Sequence, residues 1–96
     1  MRVRFSRPAL ADLEAILAYI EADNPPAARR FGERLDGVIK RIAQFPRAAA
    51  EIAERPEVRR VPLVRYPYVI YYKVILGEAY ILRIVHGARS DPSEKL

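Results

Sequence analysis

With 96 residues, of which 51% are hydrophobic, the chain is the length of one domain and too apolar to stay disordered. It contains no cysteine, which excludes disulfide staples, thiolate nucleophiles and Cys-based zinc sites, and its one histidine argues against a protein-only metal centre. The net charge of +5 is uneven. Between Val58 and Ser90 lie Arg59, Arg60, Arg65, Lys73, Arg83 and Arg89 against Glu78 alone, so that stretch carries the whole excess and points to an acidic partner, either nucleic acid or an acidic protein segment.

The first ten residues, MRVRFSRPAL, lack the apolar run and small-residue cleavage site of a secretory signal. No run approaches the roughly 18 apolar residues of a membrane span. A soluble, cytosolic protein with no membrane partner is expected. Val3 and Phe5 alternate with Arg2 and Arg4, the pattern of a short strand. Ser6 suits a helix cap and Pro8 a first helical turn. Leu10, Leu13, Ile16, Leu17 and Ile20 then recur at helical spacing, and the helix is expected to stop near Asp23. Asn24-Pro25-Pro26 caps and opens a second helix with a stripe at Ala28, Phe31, Leu35, Val38, Ile39 and Ile42, closed by Pro46. So short a connection makes the two helices an antiparallel hairpin.

Arg47 to Pro56 is polar and Ala-rich, with room for one helical turn. From Val58 the pattern becomes β: Val58–Leu63, then the Tyr-, Val- and Ile-rich Tyr68–Val74, a turn at Leu76-Gly77-Glu78, and Ala79–His86. Residues 87–96 read as a loose tail. The order β-α-α-β-β-β predicts a single α+β domain over residues 1–96: an antiparallel helix hairpin packed on one face of a small, mainly antiparallel twisted sheet, with the first strand at an edge.

Alternation sorts the sheet faces. Tyr68, Ile70, Tyr72 and Val74 share one face of their strand, and Val69, Tyr71 and Lys73 the other. In the last strand Tyr80, Leu82, Ile84 and His86 oppose Ala79, Ile81, Arg83 and Val85. The larger apolar sets are expected in the core. That leaves an open face mixing Val69, Tyr71, Ile81 and Val85 with Arg60, Lys73 and Arg83, the profile of a partner-binding surface. A loop or the C-terminal tail covering that face is the competing expectation. His86 shares the parity of Leu82 and Ile84, which favours a structural strand-end histidine over a catalytic base. No paired carboxylates stand out; Asp12 and Glu14 are expected on a polar helix face.

The segments ADLEAILAYI, NPPAARRF, VRRVPLVRYPYVIYYKV and ILRIVHGAR, in this order and spacing, resemble the RelE/ParE toxin superfamily from about Val3 to Arg89. The resemblance implies a toxin of a type II toxin–antitoxin system, neutralised by a cognate antitoxin whose acidic, disordered segment becomes helical on binding. It implies operator DNA contact only through that antitoxin, and no cofactor or metal. RelE-like members cleave mRNA in the ribosomal A site, and ParE-like members poison DNA gyrase. For a nuclease the candidate catalytic residues are Arg60, Arg83, His86 and Arg89. In the RelE-like branch, however, cations also occupy the positions of Pro62 and Val69, and a tyrosine lies in a tail that here, over Ser90–Leu96, has none. Val85-His86-Gly87-Ala88-Arg89 also resembles ParE-like chains. A gyrase-inhibiting binding protein is therefore expected, with the mRNA endonuclease as the alternative. The antitoxin surface is expected at Arg60, Val69, Tyr71, Lys73, Ile81, Arg83 and Val85.

Overall fold

A computed structural model describes residues 1–87. The elements are β1 (Arg2–Phe5), α1 (Arg7–Asp23), α2 (Pro25–Gln44), β2 (Ala50–Ile52), β3 (Arg55–Pro62), β4 (Tyr68–Ile75) and β5 (Glu78–His86). They form one five-stranded sheet in the order β1-β5-β4-β3-β2. β1 lies at an edge and runs parallel to β5; the other pairings are antiparallel. The α+β hairpin-on-sheet architecture read from the sequence is the one observed.

The helix ends follow from single residues. The Ser6 hydroxyl accepts the Ala9 N–H at 3.1 Å and donates to Leu82 O at 2.9 Å, while its own N–H donates to Ile81 O at 2.9 Å. The cap of α1 is thereby stitched to β5. This anchorage presses Ala9 fully into the core and turns Leu10 outward, 45% exposed, against the expectation that Leu10 would join the buried stripe. Asn24 serves both helices. Its N–H closes α1 on Ile20 O at 2.8 Å, and its Oδ1 accepts the Ala27 N–H at 3.1 Å to open α2.

The main core lies between the hairpin and the sheet, with Ile16, Phe31, Leu35 and Ile42 against Leu63, Ile70, Tyr72, Ala79, Ile81 and Ile84. Tyr72 is wholly buried, and its hydroxyl donates to Pro46 O at 2.7 Å, fixing the chain as it leaves α2. Burial raises the Tyr72 hydroxyl above its ordinary pKa, with nearby Arg59 pulling the other way. The unfolded chain therefore gives up this proton first. The contribution to stability is complete below the ordinary tyrosine range and is lost as pH rises through it and beyond. Tyr72→Phe is expected to cost about 1 kcal/mol at neutral pH through the lost hydrogen bond. It should also flatten the decline of the urea midpoint between about pH 9 and pH 11, around the ordinary tyrosine pKa. An alkaline slope identical in the two proteins would refute this assignment.

β2 was not legible in the sequence. Ala50 and Glu51 carry no β preference, and the strand is held instead by Arg59. That guanidinium donates to Arg47 O at 2.9 Å and Ala49 O at 2.7 Å, with Glu51 at 3.8 Å.

The β4–β5 register shifts once: Tyr71 pairs with Arg83 and Tyr72 with Ile81, which leaves Leu82 as an extra residue in β5. Strict alternation along β5 therefore fails. Ala79 and Ile81, expected on the open face, are completely buried in the main core. Leu82, expected in the core, packs on the opposite side. Across β4, which carries no extra residue, the expected faces hold.

Candidate partner-binding faces

On the sheet face away from the helices, Val58, Val69 and Tyr71 form a second apolar cluster, with Ile52, Leu82 and Val85 packed against it. Val69 is 4% and Tyr71 5% exposed, so this cluster is closed rather than an open apolar groove. Gly87 stands against it. A Cβ at Gly87 would come 3.1 Å from Val69 Cγ2, and the Gly87 N–H donates to Pro67 O at 2.7 Å. The accessible part of the face is its rim. Arg60, opposite Tyr71, is exposed, and Lys73, opposite Val58, is half-buried; neither has a carboxylate within ion-pair distance among the described residues. Leu82 and Val85, on β5 across β4 from Arg60, are half-exposed.

Arg83 does not join that rim. Its Nε and Nη2 donate to the two carboxylate oxygens of Asp12 at 2.7 and 2.9 Å, and the Ile84 N–H donates to Asp12 Oδ2 at 3.0 Å. The hydrogen bonds that Arg83 donates to Asp12 raise its pKa above its ordinary value, partial burial opposing this. The extra residue at Leu82 is what re-aims this side chain, as such bulges do. The sequence expectation that Arg83 is an open-face cation is thus corrected: it is the lock between α1 and β5. Asp12, expected on a polar face, is its partner. The available signal was position, because Asp12 lies three residues after buried Ala9 and four before buried Ile16.

Of the other candidate residues, His86 pairs with Tyr68 across the strands, their rings meeting edge to face at 5.8 Å between centroids. Arg89 and the tail expected over residues 87–96, beyond Gly87, lie outside the described residues. Ile81 is excluded from any surface by its burial.

A further concavity went unforeseen because it depends on β2. A cleft of about 350 Å³ opens between the end of α2, the segment after it and β3, lined by Val38, Ile42, Phe45, Ala49, Val61 and Tyr72, with Arg41 and Arg60 contributing cations. Phe45 is 54% exposed under the Arg41 guanidinium, 5.7 Å from its ring centroid. Arg60 thus stands beside both the cleft and the second cluster. The chemistry offered is apolar contact edged by arginines, suited to an amphipathic, acidic segment. Among the described residues no three His, Asp or Glu side chains converge on a point where a metal ion would sit, and no helix is long and apolar enough to cross a membrane.

The chain is similar in fold and sequence to known proteins. A solved structure described as the chromosomal ParDE TA system from P. aeruginosa superposes with a TM-score of 0.78 at 30% identity, covering 90% of this chain and 95% of that one. The protein named Toxin RelE2 from Caulobacter vibrioides is 43% identical over 82 residues, 84% of this chain and 89% of that protein. The Sinorhizobium fredii relative Y4kP is 33% identical over 91 residues, 95% of this chain and 93% of its own length. The family described as the ParE toxin of the type II toxin–antitoxin system parDE matches residues 3–91, and this chain, sharing its hairpin-on-sheet fold along nearly its whole length, belongs to that toxin family.

Proposed function

We propose that the chain arrests growth by binding and inhibiting DNA gyrase, not by cleaving RNA, and that an acidic antitoxin segment neutralises it. The observation that carries the reading is the state of the positions where the resemblance places nuclease cations. Pro62 has no charge, and Val69 is both uncharged and buried in the second cluster. Arg83 is neutralised by Asp12. An RNA-cleaving site needs several cations free to meet the charge that develops on phosphorus. Among the described residues the unpaired strand cations on this face are Arg60, opposite Tyr71, Lys73, two residues along β4, and Arg2 on the edge strand β1. The structural neighbour from the ParDE system supports the same branch. The name of the C. vibrioides relative supports the alternative, ribosome-dependent mRNA cleavage.

The antitoxin is expected to place apolar side chains on Leu82, Val85 and the cleft and carboxylates against Arg60 and Lys73. Rim charges of this kind mainly accelerate encounter, and buried apolar contacts set the lifetime. The functional reading is tested by two assays on one preparation of folded protein: supercoiling by gyrase from the source organism, and cleavage of mRNA on programmed ribosomes. Loss of supercoiling with intact mRNA is expected. Codon-dependent A-site cleavage with gyrase unaffected would overturn the gyrase reading in favour of the nuclease.

A further inference from the structure

The β4–β5 hairpin turns on two residues, Leu76 and Gly77, between the paired Ile75 and Glu78. Both have positive φ, 50° and 78°, the geometry of a two-residue turn whose first position favours Asn, Asp or Gly. Leucine is disfavoured there on two counts. The left-handed backbone crowds its Cβ, and the side chain is 98% exposed. Arg65 is the other non-glycine with positive φ among the described residues, and its turn is anchored: the Tyr66 N–H donates to Leu63 O, and the Tyr66 ring meets Phe31 at 5.2 Å. Nothing comparable holds Leu76. Ile75 beside it is 38% exposed, so the tip presents two adjoining apolar side chains.

The charge around the tip is one-sided. Glu78 is occupied by Arg4 at 3.0 Å and by the Tyr80 hydroxyl at 3.0 Å. Arg2, opposite Glu78, and Lys73, two residues before Ile75, have no ion-pair partner among the described residues. We propose that Leu76 is the knob by which this toxin engages its target, inserting into an apolar pocket ringed by carboxylates on a folded protein. A protruding single side chain needs a pocket already formed, which a disordered antitoxin segment does not offer. The tip also lies roughly 20 Å along β4 from Val69, at the far end of the sheet from the Val69–Val85 pair. The identity of the partner as gyrase rests on the functional reading above; the contact itself does not.

Leu76→Asn and Leu76→Met separate the knob from the turn. Asn suits the turn and removes the apolar contact; Met keeps the contact. Thermal melts, growth arrest on induction and gyrase supercoiling are measured for both and for the wild type. Leu76→Asn is expected to melt at or above the wild-type temperature while losing at least about tenfold in growth arrest and gyrase inhibition. Leu76→Met is expected to stay within about threefold of wild type in both. Growth arrest by Leu76→Asn at wild-type potency, a lower melting temperature for it, or a Met variant as weak as the Asn variant overturns the proposal. If wild type arrests growth without affecting gyrase and Leu76→Asn weakens that arrest, the knob stands and the gyrase reading falls. A wild-type chain with no effect on growth overturns both.

Discussion

Phe31→Ala is expected to lower stability by about 3–5 kcal/mol, the range for deleting a buried aromatic side chain. Phe31 is fully buried in α2, and its ring meets Tyr66 and Tyr68 edge to face at 5.2 and 5.7 Å. Tyr68 in turn meets His86. The Phe31 ring therefore joins the second helix to the β3–β4 turn and, through Tyr68, to the end of β5, three segments far apart in sequence. The cavity left by alanine is walled by stiff aromatic rings and strands, which relax little. A domain of this size has a total margin of roughly 5–10 kcal/mol. The substitution should consume much of it and lower the melting temperature by about 15–30 °C. Phe31→Leu should recover at least half of the loss by refilling most of the volume. Calorimetry on the three proteins checks the order; a fall below about 5 °C for Phe31→Ala would show that the aromatic junction is not central to the fold.

Asp12→Ala is expected to cost about 2–4 kcal/mol and to exceed the cost of Arg83→Met. Asp12 accepts three hydrogen bonds, two from the Arg83 guanidinium and one from the Ile84 N–H. Its side chain is 16% exposed and that of Arg83 24%. Removing the carboxylate leaves a guanidinium and a backbone N–H half out of water without an acceptor. Replacing the arginine with methionine keeps the apolar stem and leaves the carboxylate its bond to Ile84, so that loss should be about 1 kcal/mol. Asp12→Asn should fall between them. Because the pair is half-buried, salt should change the ranking little. Urea titrations settle the order, and a larger loss for Arg83→Met than for Asp12→Ala would mean that the arginine's packing, not its anchorage, is what matters.

These two sites mark where sequence reasoning succeeded and where it stopped. The place of Phe31 was readable, because a helical stripe identifies a core face from one element alone. Asn24-Pro25-Pro26 likewise announced the hairpin, since capping and the missing proline N–H act within a few residues. The faces of β4 followed from alternation, which holds while a strand keeps its register. The resemblance to a toxin family rested on segments spread along the chain, and it was matched by the fold and by the relatives.

The tertiary structure decided what one residue of register controls. The extra residue at Leu82 sent Ile81 into the core, moved Leu82 to the far face and aimed Arg83 at α1, and nothing local in Ile81-Leu82-Arg83 signals it. A bulge arises where two neighbouring segments impose competing registers, here β4 on one side and the Ser6 cap bonded to Ile81 and Leu82 on the other. β2 exists because a distant guanidinium gathers the carbonyls of Arg47 and Ala49, so the cleft it bounds was hidden too. Sequence by itself determined the local periodicities, the helix caps and thereby the architecture; the three-dimensional fold decided which cations are free and which are locked. Side-chain direction in a strand flips with each residue, so a shift of one position reassigns every charge beyond it.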